Sequence, residues 1–142
     1  METKKQKRIG VYGVIIKDNK IALVRKAKGG YKGKLDLPGG GMEHKELPLE
    51  TLKRELKEEA DVTVTNAELF DVTATNIIWE TPLNYIEDLH HIGILYKLEI
   101  KEDKVKQEPD GLDSEGCDWY EINKLNPKEL SPFTKFVIEK IL

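Results

Sequence analysis

The stretch RELKEEADV, residues 54–62, sets Glu55, Glu58 and Glu59 within five positions of one another. On a helix of ~3.6 residues per turn, with Glu55 at 0°, Glu59 falls near 40° and Glu58 near 300°. The three carboxylates then share one face roughly 100° wide. Lys53 and Lys57 fall at about 160° and 200°, on the far side, with Arg54 near 260°. Like charges at these spacings oppose a helix by a few tenths of a kcal/mol per pair. Clustered carboxylate oxygens suit a hard divalent cation such as magnesium or manganese, with positions left for water and phosphate. The competing reading is a solvated acidic face whose repulsion is tolerated. The helix alone leaves both open.

The elements around these residues must hold them in place. From Pro48 to about Ala60 the apolar residues Leu49, Leu52, Leu56 and Ala60 recur at three or four positions, which predicts a helix with a separate core-facing stripe. Pro48 fits its first turn. Upstream, LDLPGGG places Pro38 and Gly39–Gly41 after a short apolar run, and KAKGGYKGK reads as a loop. RIGVYGVIIKDNKIALVRKA reads as two β-rich runs in an antiparallel hairpin around residues 17–20. Beyond the helix, residues 62–80 read as one or two strands, 81–89 as a polar loop and 90–100 as a strand. Residues 101–116 read as a long acidic connection and 117–122 as a short strand. Ser131 caps a last helix with an apolar stripe of Phe133, Phe136, Val137 and Ile141. That order favours a mixed sheet with helices against it.

A length of 142 residues, 39% hydrophobic and 35% charged, suits a single globular domain over 1–142, with residues 1–8 as a flexible basic tail. A charge of −3, from 23 basic and 26 acidic side chains, makes a poor general binder of long nucleic acid or anionic membrane. The single cysteine, Cys117, forms no internal disulfide, and METKKQKRIG has no apolar signal region, so a cytoplasmic location is expected. No apolar run approaches the roughly 20 residues of a membrane span.

The run GGMEHKELPLETLKRELKEEADV, residues 40–62, resembles the signature of the Nudix hydrolases. That signature reads Gly, five residues, Glu, seven residues, Arg-Glu-aliphatic-any-Glu-Glu-any-Gly-aliphatic. Gly40, Glu46, Arg54, Glu55, Leu56, Glu58, Glu59 and Val62 fall on it, with LPGG just upstream. One position departs: Asp61 stands where the family has glycine. A left-handed residue commonly ends a helix there, and aspartate tolerates that conformation better than most.

The resemblance implies an α+β Nudix fold, an α/β/α sandwich with a central mixed β-sheet. It implies Glu55, Glu58, Glu59 and Arg54 as the catalytic set. The three glutamates and the Gly40 carbonyl would hold Mg²⁺, with Mn²⁺ as a substitute, while Gly39, Glu46 and Arg54 support the site. The competing role for Arg54 is a surface partner of Glu50 or Glu58. The activity implied is cleavage of a phosphoanhydride bond in a nucleoside diphosphate linked to a moiety X, such as a (d)NTP-type nucleotide in the MutT-like manner. The alternatives are an ADP-ribose or nucleoside diphosphate-sugar pyrophosphatase, or a nucleotide-binding module without catalysis. A nucleotide-type small molecule is the expected partner, and a homodimer is common in the family.

The general base is open among Glu58, Glu59, Glu87, Asp88, Asp113 and Glu115. Arg25, His91 and Glu115 are candidate substrate contacts. His90 and His91, adjacent on a strand, point to opposite faces and so do not readily chelate one ion. Lys26, Lys28, Lys32 and Lys34 read as phosphate contacts or as a solvated loop. Tyr31, Trp79 and Tyr85 read as base-stacking rings or as core.

Overall fold

In this computed structural model residues 1–112 and 114–142 are described. The strands are β1 (Thr3–Val14), β2 (Ile16–Lys17), β3 (Lys20–Lys26), β4 (Leu35–Asp36), β5 (Gly39–Gly41), β6 (Val64–Glu80), β7 (Ile86–Ile100) and β8 (Ser114–Glu121). The helices are α1 (Pro48–Ala60) and α2 (Pro132–Ile141). The hairpin turn forms where expected. Asp18 and Asn19 both take positive φ, 51° and 62°, and bring β2 antiparallel to β3.

One sheet has the order β5-β1-β7-β6, with β1 parallel to β7 and the other pairs antiparallel. At Ile15 the chain crosses into a second sheet, in which β3 pairs β2, β4 and β8. Alternate residues of β1 and β3 face two different cores. Val11, Ile15, Ala22 and Val24 pack with Leu52, Leu56 and Ala60 of α1. Tyr12, Val14, Ile21 and Leu23 pack with Phe133, Val137 and Ile138 of α2. The strands therefore form a middle layer with one helix on each face, the expected α/β/α sandwich. Among the described residues no helix is long and apolar enough to cross a membrane.

Three local expectations are corrected. Residues 3–8 are not a free tail: Thr3–Arg8 pair in parallel with Ile86–His91, and those backbone hydrogen bonds hold a segment whose side chains stay exposed. The loop expected at 81–89 shrinks to 81–85, because Ile86–Leu89 already belong to β7, where Glu87 turns inward and is buried. Leu49 is 39% exposed, so the buried stripe of α1 begins at Leu52. The polar loop chemistry of 86–89 masked a strand because one of its faces lines a polar cleft.

Asp61 ends α1 in the left-handed conformation, φ 52° and ψ 46°, and its N–H donates to the Leu56 and Lys57 carbonyls. The departure from glycine thus keeps the turn, at the strain a Cβ brings there. Its ion pair with Lys57, at 2.9 Å, is exposed and adds little. Asp61→Gly is expected to raise stability by up to about 1 kcal/mol, read from urea unfolding at neutral pH.

Candidate functional site

Helix α1 and the glycine strand β5 meet edge to edge, and their contact is built from backbone and charge. Gly39 has φ 142°, and a Cβ there would lie 2.1 Å from the Val11 carbonyl oxygen, so no side chain fits. Its N–H donates to Glu59 Oε1 at 2.7 Å, and Glu59 is only 1% exposed. A Cβ on Gly40 would meet the Glu55 carboxyl carbon at 2.6 Å, so the Glu55 carboxylate lies directly over that backbone.

Arg54 ties the signature loop to the helix. Its Nε and Nη2 donate to Glu46 Oε2 and Oε1 at 2.8 and 3.0 Å, a bidentate pair. Nη1 donates to Glu55 Oε1 at 2.9 Å, and Nη2 to the Gly41 carbonyl at 3.3 Å. Glu46 also accepts from the Glu43 N–H and the Thr51 hydroxyl, each at 2.8 Å. The Arg54 guanidinium, then these further donors, hold the Glu46 carboxyl at about 2, well below its ordinary value. Arg54 is raised above its ordinary range, first by Glu46 and then by Glu55. The i,i+4 contact with Glu58, at 3.8 Å, is the longest of these, so the surface-pair role is the lesser one.

Among the described residues no three acidic, histidine or cysteine side chains converge on one point. Glu55 leans over Gly40 and toward Arg54, Glu59 faces Gly39, and Glu58 is 46% exposed. The donor set nevertheless fits a hard divalent cation: carboxylate oxygens beside a bare glycine backbone, supplied from one helix face. The three glutamates also occupy the last two turns of α1, where the helix dipole already places partial negative charge. A cation there would offset both repulsions.

From β5 a cleft of about 520 Å³ runs across the β1–β7–β6 face toward the 81–85 turn. Loop 27–34 walls it, with Lys26 and Lys28 at its lining. At its floor stands His91, 2% exposed, between two phenols: Tyr12 at 2.8 Å from Nε2 and Tyr31 at 2.9 Å from Nδ1. Neutral imidazole donates through one nitrogen and accepts through the other, which matches two hydroxyls. Burial, then Arg8 and Lys26, hold His91 at about 4, and burial raises both phenols.

A histidine kept neutral when folded binds fewer protons than it does unfolded, between its native value of about 4 and its ordinary 6.5. Stability is therefore expected to fall as pH drops through that window, by on the order of 2 kcal/mol. His91→Gln should flatten this limb of an unfolding-midpoint profile taken from pH 7 to 4.

Of the other candidate residues, His90 lies on the opposite face, beside an open groove of about 670 Å³ around Lys7 and Asn76. That groove touches no residue of the glycine turn or of α1. Asp88 accepts from Asn76 there. Arg25 and Glu115 are not among the residues lining the cleft, and Arg25 donates to the Gly33 carbonyl at 2.9 Å. Asp113 lies outside the described residues. Tyr31 anchors loop 27–34 to His91, and Lys34 donates to the Lys128 carbonyl at 2.6 Å, so the loop is tied down rather than solvated throughout. Sequence reasoning missed Tyr12 and Arg8 as cleft residues. The only available signal was strand register, which places Arg8 beside His91.

A family model of the NUDIX domain matches residues 5–141. A relative from Methanocaldococcus jannaschii, named ADP-ribose pyrophosphatase, is 30% identical over 134 residues, covering 94% of this chain and 70% of that one. One from Escherichia coli, named 8-oxo-dGTP diphosphatase, is 28% identical over 125 residues, covering 87% of each chain. Among solved structures, a MutT NUDIX hydrolase from Burkholderia pseudomallei matches with TM-score 0.76 at 22% identity, covering 96% of this chain and 98% of that one. A NUDIX hydrolase from Nitrosomonas europaea matches with TM-score 0.72 at 20% identity, over 94% and 87%. At those identities the two structures speak to fold alone. Signature, domain match and layered architecture converge, and the chain belongs to the Nudix family as a Nudix pyrophosphohydrolase.

Proposed function

We propose that this chain is a Mg²⁺-dependent hydrolase of nucleoside diphosphates linked to a moiety X, with (d)NTP-type nucleotides as its first substrate class. The observation that carries the reading is the join between β5 and α1. There Glu55 lies over Gly40, Glu59 holds Gly39, and Glu58 stands half exposed on the same helix face. Glu55, Glu58 and Glu59, with the Gly40 carbonyl, would hold the cation. When bound, the cation supplies charge neutralisation for the polyphosphate and a lowered pKa for the attacking water. Arg54 and Glu46 position the glutamates against the glycine strand, and Glu58 or Glu59 would accept a proton from the attacking water. Lys26, Lys28 and Arg8 place positive charge along the cleft where a polyphosphate would run.

A second reading, an ADP-ribose or nucleoside diphosphate-sugar substrate, is favoured by the 30% identical relative of that name. Product analysis over a substrate panel separates the two. Pyrophosphate plus a monophosphate marks the triphosphate class, and two monophosphate species mark the sugar class. Tight nucleotide binding without turnover in Mg²⁺ or Mn²⁺ would overturn both.

A further inference from the structure

The far end of the cleft holds a charged group that the reaction above does not use. Glu87 on β7 is 6% exposed and lines the cleft. Its Oε1 accepts the indole N–H of Trp79, its antiparallel cross-strand neighbour, at 2.8 Å. No other hydrogen bond or ion pair reaches this carboxylate from the described residues. Its second oxygen has no protein donor among the described residues and opens on the cleft, where a ligand donor could meet it. Loop 27–34 closes over the same indole: a Cβ on Gly30 would lie 3.2 Å from it. Val11 is in register with both Gly40 and Ile94, and Glu87 stands seven residues before Ile94 on β7. By strand rise that is about 23 Å along β7, and residues at both ends line one cleft. Arg8, in register with His91, stands between the two ends.

We propose that Glu87 is a specificity-determining residue, whose carboxylate, tethered by Trp79, accepts hydrogen bonds from a paired-donor group at the substrate end remote from the scissile anhydride. The inference rests on the phosphoanhydride-hydrolase reading of the glycine turn. A carboxylate only accepts, so the group it reads must donate. Two parts of a nucleotide present paired donors: the N–H and NH₂ edge of a guanine-type base, and the vicinal hydroxyls of a ribose. The rival account is that Glu87 merely holds Trp79 in place.

Glu87→Gln separates these accounts, since the amide oxygen still accepts from the indole while the second oxygen becomes a donor. Binding of methylene-bridged, non-hydrolysed guanosine, inosine and 2′,3′-dideoxyguanosine triphosphate analogues is measured by calorimetry in magnesium buffer. Wild-type protein is expected to bind the guanosine form roughly 10- to 100-fold more tightly than at least one of the other two, the range of a hydrogen bond to a charged group. In Glu87→Gln that ratio should fall below about 3-fold. A loss against inosine assigns the base edge, and a loss against the dideoxy form assigns the ribose. Ratios near one in wild type, or ratios that survive in Glu87→Gln, overturn the proposal. Should Glu87→Gln fail to fold, Trp79→Phe releases the tether and is expected to shrink the same ratio, and an unchanged ratio overturns it equally. Binding of these analogues needs no turnover. Glu87-dependent discrimination in a protein that hydrolyses nothing would sink the reaction reading alone, and indifferent ratios in an active enzyme would sink this inference alone.

Discussion

Glu58→Gln is expected to lower kcat by about 10²- to 10³-fold, the usual loss when one preorganised charge is removed from a transition state. Its unfolding midpoint in chelator should match wild type or rise slightly. The Glu58 side chain is 46% exposed and its nearest ion-pair contact is 3.8 Å away, so the fold does not depend on it. Loss of its charge also relieves repulsion from Glu55, three residues away, worth a few tenths of a kcal/mol. Millimolar magnesium should raise the melting temperature of wild type by mass action, and raise that of Glu58→Gln much less. Thermal melts with and without magnesium, beside a steady-state assay, read all three effects. Wild-type turnover in this variant would remove Glu58 from the reaction. Glu59→Gln should differ, because its buried carboxylate also accepts the Gly39 N–H at 2.7 Å. Some stability is expected to go with its activity.

Gly39→Ala is expected to destabilise the protein by roughly 3 kcal/mol or more, enough to threaten folding. The added Cβ would lie 2.1 Å from the Val11 carbonyl oxygen and 2.7 Å from the Tyr12 Cα, both backbone atoms of the central strand. Neither can step aside without opening the β1–β5 ladder. The φ of 142° adds strain for any residue with a side chain. Gly40→Ala makes the informative contrast. Its Cβ would meet the Glu55 carboxylate first, at 2.6 to 2.8 Å, the far end of a flexible side chain. That variant should fold, melt within a few degrees of wild type, and lose magnesium stabilisation and turnover together. A Gly39→Ala protein that melts like wild type would mean the glycine turn is looser than its geometry here.

Local physics was readable from local residues. Helix α1 runs from Pro48 to Ala60 as its three-and-four spacing indicates, and Asp61 takes the left-handed turn for which the resembling signature has glycine. The hairpin at Asp18–Asn19 and the Ser131 cap, whose hydroxyl accepts the Thr134 N–H, were readable for the same reason. Their hydrogen bonds close within a few residues of the chain, so residue type and spacing suffice. The two alternating cores were implicit in the strand pattern, since successive side chains point to opposite faces.

Long-range partners were not readable. Thr3–Arg8 looked like a solvated tail because its side chains stay exposed, and backbone pairing with a strand more than 80 residues away leaves no mark on composition. The Tyr12–His91–Tyr31 contact joins residues 79 and 60 positions apart. Glu87 passed for a loop acid, since an inward-facing charge in a cleft wall has the same letter as an outward-facing one.

From helical periodicity alone came the glutamate face, open both to a divalent cation and to a solvated acidic patch. The glycine turn beside it and the class of chemistry came from the resemblance of residues 40–62 to the Nudix signature. Tertiary structure alone decided which bases, phenols and carboxylates share the cleft with that turn, because strand register between distant segments sets it. It also decided that Arg54 grips Glu46 in a bidentate pair while Glu58 stays half exposed, 3.8 Å from Arg54. Side-chain geometry of that kind depends on how loop and helix finally pack.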